Sequence, residues 1–292
     1  ARGGPERTCL AGAHAMSDIV LVRGGGRLGT ATAHRLRLCG FPVVIAEAAR
    51  PTLIHRRAAF GAAIEDSEVS VEGVRGRRAS GIEGIRQVLD EGGVPVLVDP
   101  AATIREGLAP WVLVDAIGLE WNVGTRREDA PIVVAMGPGF SAGADAHAVV
   151  ETRPNVDLGR FTTEGPLREA PLSLAAAGAV DRGLVRAPIP GRFESTASIG
   201  ISVEVDAVLG TVGGREVRAP IAGLVIGLLA GGLFVGPGMR VAEIDPGADA
   251  ERVSAIDPLA RAAAGGVLEA ILHLAALGRE GGQSLESRRT GD

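Results

Sequence analysis

Gly24, Gly25, Gly26 and Gly29, followed by Thr30, are the first residues whose types and spacing point to chemistry. Gly24, Gly26 and Gly29 keep the G-x-G-x-x-G spacing between an apolar stretch and a helix-forming one, the context in which that motif has a mechanism. The first glycine allows a tight turn, the second lets a pyrophosphate approach the backbone, and the third lets the helix pack closely on the strand. Free amides at the helix start, with their partial positive charge, attract phosphate. Glu47 comes 18 residues after Gly29, where a carboxylate can bind ribose hydroxyls. A second glycine loop, Met136–Gly143, contains Gly137, Gly139 and Ser141 and leads into Asp145, His147 and Glu151. If 145–153 is a strand, its period of two puts Asp145, His147 and Glu151 on one face. An imidazole between two carboxylates has its pKa raised towards neutrality and can act as acid or base. A structural histidine tied to a carboxylate fits the same pattern, and no metal site is assigned. These three residues are the catalytic candidates; Gly24, Gly25, Gly26, Gly29, Thr30, Glu47, Gly137, Gly139 and Ser141 are the cofactor-binding candidates.

The elements that must position these groups follow from the apolar pattern. Asp18–Val22 reads as a strand, 31–38 as a helix ended by Gly40, and 42–46 as the next strand. Strands are expected at 58–64, 69–74, 94–98, 111–115 and 132–135, with helices at 82–89 and from Thr103. Apolar strands alternating with short helices predict a Rossmann-like, doubly wound parallel α/β sheet covered on both faces. Ligands of such sheets bind beyond the carboxyl ends of the strands, where the glycine turn, Glu47, Asp115 and the second glycine loop all fall. The basic run His55-Arg56-Arg57 lies near the same edge.

The second half carries an internal repeat. Ala187-Pro188-Ile189-Pro190-Gly191 recurs 32 residues later as Ala219-Pro220-Ile221-Ala222-Gly223, and Phe193, Gly200, Val203 and Val212 align with Val225, Gly232, Val235 and Ile244. Each copy resembles half of a biotinyl/lipoyl-type hammerhead, whose modified lysine sits on the turn between halves. That turn here is Gly213-Gly214-Arg215-Glu216, and a guanidinium cannot accept an acyl group, so neither biotin nor lipoate is expected. Ala219–Met239 has no charged residue and six glycines, and by length would permit a membrane helix. The matching span of the first copy holds Arg192, Glu194, Glu204 and Asp206, so both copies read as soluble hairpins. Asp257-Pro258 then starts a C-terminal helix that Gly278 should cap. The expected organisation is a disordered extension at 1–15, an α/β domain at 16–165, a linker at 166–183, a small all-β hammerhead (barrel-sandwich) domain at 184–250, a C-terminal helix at 251–278 and a disordered tail at 279–292.

The 292 residues carry a net charge of -5, which argues against nucleic-acid binding. All 30 basic residues are arginine, which removes Schiff-base and Walker-lysine chemistry. Cys9 and Cys39 form no C-x-x-C, which suits a reducing compartment. The first 15 residues lack the apolar core of a signal peptide, and Met16 stands directly before the first strand.

Several separated segments together resemble the accessory proteins of selenium-dependent molybdenum hydroxylases. They are Val22–Thr30, His34-Arg35-Leu36, Gly137–Gly143 with Asp145 and His147, Val150–Arg153, Leu158-Gly159-Arg160, the paired Ala-Pro-Ile segments, Glu243–Pro246 and Ala264–Leu272. Arg27 departs from the family's usual Asp, and Ile117–Thr125 lacks the basic pair that the family tends to place before the Asn. The resemblance implies a cytoplasmic maturation factor that helps equip a molybdenum hydroxylase with its selenium-bearing cofactor. Its partners would be the client enzyme or the cofactor, with no membrane or nucleic acid and with room for a homo-oligomer. The bound group would be a nucleotide or molybdopterin, whose phosphate either glycine loop could cradle. Two other readings stand beside it: an NAD(P)-dependent oxidoreductase with His147 as proton donor, and a ligand-free adaptor.

Overall fold

The computed structural model describes residues 18–171 and 182–289, with side chains described to Leu277. The extension at 1–15 and residues 172–181 of the expected linker lie outside the described residues.

The largest sheet has nine strands. In chain order they are β1 (Val20–Arg23), β2 (Val43–Glu47), β3 (Glu68–Val71), β4 (Val74–Arg78), β5 (Val94–Val98), β6 (Val112–Asp115), β7 (Ile132–Met136), β9 (Ala148–Val150) and β10 (Phe161–Thr162). Their order across the sheet is β10-β9-β7-β6-β1-β2-β5-β4-β3. The seven from β9 to β4 run parallel, while β3 and β10 are antiparallel edges. A strand covered on both faces can be apolar at every position, and β1 is buried throughout. Val20 and Val22 meet α1 (Arg27–Leu38) and the C-terminal helix on one face. Leu21 points to the other face, towards Ile85 of α3 (Gly81–Asp90) and Leu108 of α4 (Arg105–Leu108). One further short helix, α2 (Ala63–Asp66), precedes β3.

Beyond β8 (Ser141–Ala142) and β11 (Gly165–Pro166), which pair as a two-stranded sheet, the chain builds a β-rich unit. It consists of β12 (Leu184–Arg186), β13 (Gly191–Ser195), β14 (Ser202–Val203), β15 (Val208–Val212), β16 (Arg215–Arg218), β17 (Gly223–Leu228), β18 (Phe234–Val235) and β19 (Arg240–Asp245). Its two sheets run β12-β19-β17-β14 and β16-β15-β13-β18. The repeat governs this pairing. β13 pairs with β15 of its own copy and β18 of the other, and β17 pairs with β19 and β14. Phe193 and Val225, equivalent in the two copies, are both fully buried in the unit's core. The segment weighed as a membrane helix, 219–239, is β17, β18 and their turns.

The expected fold class, a Rossmann-like doubly wound parallel sheet followed by a hammerhead domain and a trailing helix, is corrected. The chain is mixed α/β, with strands in four sheets among the described residues. The large sheet is not all-parallel. Glu72 and Gly73, with φ of 44° and 82°, make a two-residue turn that folds β3 back along β4. At the other edge the short connection from β9 returns β10 antiparallel. The last helix, α5 (Pro258–Arg289), is no appendage: its stripe Ala260, Ala263, Ala264, Val267, Ala270 and Ile271 is buried on α1 and the large sheet. The β-rich unit is therefore interposed before an element of the first body. By length and composition alone Arg252–Leu277 would suffice to cross a membrane, but its apolar stripe is used inside the fold.

Three local expectations are corrected as well. The strand expected at 58–64 is 3-10 and helical turn, because Phe60 and the small residues around it pack under the glycine turn. The helix runs through Gly278 to Arg289, so the cap expected at Gly278 is corrected, while residues 290–292 of the expected tail lie outside the described residues. The strand expected at 145–153 is only Ala148–Val150, which removes the face shared by Asp145, His147 and Glu151.

Candidate functional site

A cleft of about 800 Å³ opens at the carboxyl ends of β1, β2 and β6. β1 connects through α1 to β2 on one side, and the chain reaches β6 on its other side only later. The cleft therefore sits where the connections change direction, as expected for ligand sites in open α/β sheets. Gly24, Gly26, Arg27 and Leu28 form one rim, and Arg50 and His55 come from the segment after β2. Ile117, Leu119 and Val123 come from the loop after β6, and Arg240 reaches in from the β-rich unit.

The glycine turn is built much as the spacing anticipates, except that its amides are partly engaged. Gly24 has φ of +93°, and a β-carbon there would stand 3.0 Å from the Ala116 carbonyl oxygen. A β-carbon on Gly25 would lie 2.7 Å from the Gly61 amide nitrogen, and one on Gly29 would overlap the Gly24 carbonyl. Thr30 is fully buried: its hydroxyl donates to the Gly25 carbonyl (2.9 Å) and accepts from the Phe60 amide (2.9 Å). Thr30 thus fastens the turn and is withdrawn from ligand contact. The Glu47 carboxylate lines the cleft but accepts from the Gly25 amide (2.7 Å) and the Ala48 amide (2.6 Å). Burial raises its pKa above the ordinary carboxylate value, against the pull of those two bonds. Gly26, at the start of α1, is the motif glycine whose added β-carbon would meet only a flexible side chain, Leu53, at 3.3 Å.

Beneath the cleft lies a buried ion pair. The Arg23 guanidinium donates to the Asp115 carboxylate (3.2 Å), the Thr125 hydroxyl and the Pro100 carbonyl (3.2 Å). Thr125 also donates to Asp115 (2.5 Å). Arg23 and Asp115 terminate adjacent parallel strands in register, which brings them side by side. This cluster ties the end of the β6 loop to the cleft floor.

The second glycine loop and the catalytic candidates lie elsewhere. Gly137, Gly139 and Ser141 do not line the cleft. Gly139 packs on the backbone of Glu120 and Trp121. Asp145 caps a turn by accepting from the Ser141 amide (2.8 Å). His147 exchanges bonds with Val133: its amide donates to the Val133 carbonyl (2.8 Å), and its Nδ1 accepts from the Val133 amide (2.9 Å). Val133 is in register with Leu113 and Leu21, which is three residues short of Gly24, and lies two strands from β1. Burial, and then the charge of Arg127, lower the imidazole pKa, the opposite of the upward shift expected from two flanking carboxylates. Glu151 is buried, accepting from Arg153 (2.6 Å), Asn155 (3.1 Å) and the amides of Thr152 and Arg153. Burial pushes its pKa up, but these donors outweigh it and hold the carboxyl below its ordinary value. Asp145, His147 and Glu151 therefore do not share one face, and each is engaged with its own partners.

The basic run after β2 is spent largely on docking. His55 pairs with Glu243 (3.1 Å), Arg56 donates to the Leu228 carbonyl (3.2 Å), and Ile54 enters the core of the β-rich unit. Sequence reasoning missed Arg27, Arg50 and Arg240 as cleft residues, along with the apolar loop wall. The position of Arg27 inside the glycine motif was the available signal; Arg240 offered none.

No protein-family profile matches the chain. An "Uncharacterized protein YqeB" from Escherichia coli (strain K12) is 38% identical over 260 residues, which cover 88% of this chain and 48% of that protein. The chain spans about half the length of this curated relative. Among solved structures, an aspartoacylase family protein from Mesorhizobium loti is 12% identical, covering 80% of this chain and 86% of that one with a TM-score of 0.25. A succinylglutamate desuccinylase/aspartoacylase from Rhodobacter sphaeroides is 14% identical, covering 78% and 85% with a TM-score of 0.24. At those scores the likeness assigns neither fold nor chemistry to this chain.

Proposed function

We propose that this chain is a cytoplasmic accessory factor in the maturation of a selenium-dependent molybdenum hydroxylase, and that it binds a nucleotide or molybdopterin in the cleft at the carboxyl ends of β1, β2 and β6. One observation carries the reading: a cleft of about 800 Å³ at this position, walled by Arg27, Arg50 and Arg240 and floored by Arg23. Three guanidiniums facing the apolar wall of the loop after β6 suit a phosphorylated organic ligand, since guanidinium geometry matches phosphate. The family resemblance supplies the pathway, and molybdopterin, a phosphorylated ring system, fits the same donor set. The oxidoreductase reading loses its proton donor, because His147 does not line the cleft.

Isothermal titration of the protein with CTP, NAD and molybdopterin cytosine dinucleotide tests the proposal. At least one is expected to bind in the micromolar range, and the Arg27→Gln/Arg50→Gln variant should bind it about 10-fold or more weakly, the equivalent of about 1.4 kcal/mol. In cells, that variant should fail to restore activity of the client hydroxylase. If no ligand binds below about 1 mM, a ligand-free adaptor replaces this reading.

A further inference from the structure

The loop from Ile117 to Thr125 is unusual in being rigidly anchored while exposing large apolar side chains. The Asn122 side-chain oxygen accepts from the Gly124 amide (2.9 Å) and the Thr125 amide (2.8 Å), and its Nδ2 donates to the Thr125 carbonyl (2.8 Å). The Asp115 carboxylate accepts from the Ile117 amide (3.2 Å). Gly139 packs so tightly on the loop that a β-carbon would stand 2.7 Å from the Trp121 Cα. A loop pinned this way cannot turn its side chains into the core. Leu119, Trp121 and Val123 remain 38%, 61% and 40% exposed. Single exposed apolar residues are ordinary, but three at alternate positions on one loop make a presented surface. Leu119 and Val123 line the cleft, whose other walls carry Arg27, Arg50 and Arg240.

We propose that this loop is the platform for a planar heterocycle whose phosphates are held by the guanidiniums opposite, so that the cleft selects ring-bearing phosphate esters over simple phosphates. The inference rests on the ligand-binding reading above and deepens it by naming the residues that recognise the ring. Charge complementarity fixes the occupant: one cleft with a cationic side and an apolar side suits a molecule that is anionic at one end and flat and apolar at the other. Leu119 and Val123 are the specificity-determining residues, and Trp121, between them on the loop, reports on ring binding.

The test compares CTP and ATP with tripolyphosphate, which matches their charged chain but has no ring. Trp111 stacks on Phe41 (6.3 Å between ring centroids), so Trp111→Phe leaves Trp121 as the sole tryptophan at little structural cost. In that background CTP or ATP should bind about 10-fold more tightly than tripolyphosphate, as expected when one ring face is buried on Leu119 and Val123. Nucleotide, and not tripolyphosphate, should change the Trp121 emission. Leu119→Ser/Val123→Ser should bring the affinity ratio close to one. Equal affinities in the parent protein, or a ratio that survives the double substitution, would overturn the platform while leaving the phosphate site standing. Absence of binding by all three probes would overturn both.

Discussion

Replacing Gly29 and Gly26 separately with alanine should divide the glycine turn into a part that holds the fold and a part that meets ligand. A β-carbon on Gly29 would overlap the Gly24 carbonyl, and Gly24 is itself confined between β1 and Ala116. The obstacle is backbone, so no rotamer change relieves it; the first turn of α1 must move off β1. Overpacking of this kind costs about 1–3 kcal/mol or more, and a backbone obstacle places it at the upper end. Alanine's better helix propensity returns about 1 kcal/mol. The net loss is about 2 kcal/mol, a fall in Tm of about 4–8 °C for a domain of this size class. Gly26 differs: its φ is -75°, open to any residue, and the nearest atom to an added β-carbon is Leu53 Cδ2 at 3.3 Å. Gly26→Ala should cost under about 1 kcal/mol, mostly through a poorer N-cap. Its methyl group would stand on the cleft rim at the start of α1, where a phosphate approaches. CTP affinity should therefore fall about 10-fold while the melt stays within about 4 °C of the parent. Thermal melts by circular dichroism and calorimetric titration read both quantities. A Gly29→Ala protein that melts like the parent would refute the packing argument, and a Gly26→Ala protein with undiminished affinity would show that anions do not approach the helix start.

Three further outcomes follow from the buried groups. Because the folded pKa of Glu47 is raised, the native state holds its proton more tightly than the unfolded chain; stability from this group is present below the unfolded value of 4.5 and is lost as pH rises through the folded pKa. Denaturant titrations at several pH values should show that slope in the parent and not in Glu47→Gln, and identical slopes would count against it. The lowered His147 pKa has the opposite consequence: neutral His147 stabilises the fold above the unfolded value of 6.5, and the contribution is lost as pH falls through the folded pKa. His147→Ala should cost about 1–3 kcal/mol by orphaning the Val133 amide while leaving CTP affinity intact, and a selective loss of affinity would return His147 to the site. Arg23→Met should destabilise by about 3–5 kcal/mol, because Asp115 is left as an unpaired buried charge; Arg23→Met/Asp115→Leu should recover most of that in urea unfolding, and no recovery would mean the pair is not the source.

The parts legible in the sequence were those fixed by local pattern. β1, the glycine turn, α1 and β2 follow from an apolar run, three spaced glycines and a second run, all within about thirty residues. The apolar runs of β5, β6 and β7 were equally plain. What escaped depended on distant partners. Arg23 acquires its role from Asp115 and Thr125, 92 and 102 residues away, and no local feature marks that pairing. His147 looked like an acid or base because a period of two was assumed; the turn held by Asp145 interrupts the strand and leaves the imidazole to cap the Val133 amide. The basic run His55-Arg56-Arg57 was placed at the correct edge, but its docking role was not legible, since its partners Glu243 and Leu228 lie far along the chain in the β-rich unit.

These contacts show how the two bodies are joined. Segment 48–62 touches the glycine turn and the β-rich unit at once: Leu53 lies against Gly26 and Gly61, while the next residue, Ile54, is buried in the other core and its carbonyl accepts from the Leu228 amide (2.7 Å). Beside it, burial pushes the Glu243 carboxyl up, but the hydrogen bond from His55 and the neighbouring positive charges outweigh burial and hold it below its ordinary value. Arg240 and Glu243 lie on the same strand, one facing the cleft and the other holding this pair. An anion drawn between Arg27, Arg50 and Arg240 would touch both bodies directly and would border the segment that fastens them. Any free energy by which ligand favours one docking arrangement must equally appear as that arrangement favouring ligand, because coupling between two sites is reciprocal. The β-rich unit therefore has a role open to it that needs no carrier lysine: it forms a wall of the site, and its docking and the occupancy of the cleft bear on one another through the segment between β2 and β3.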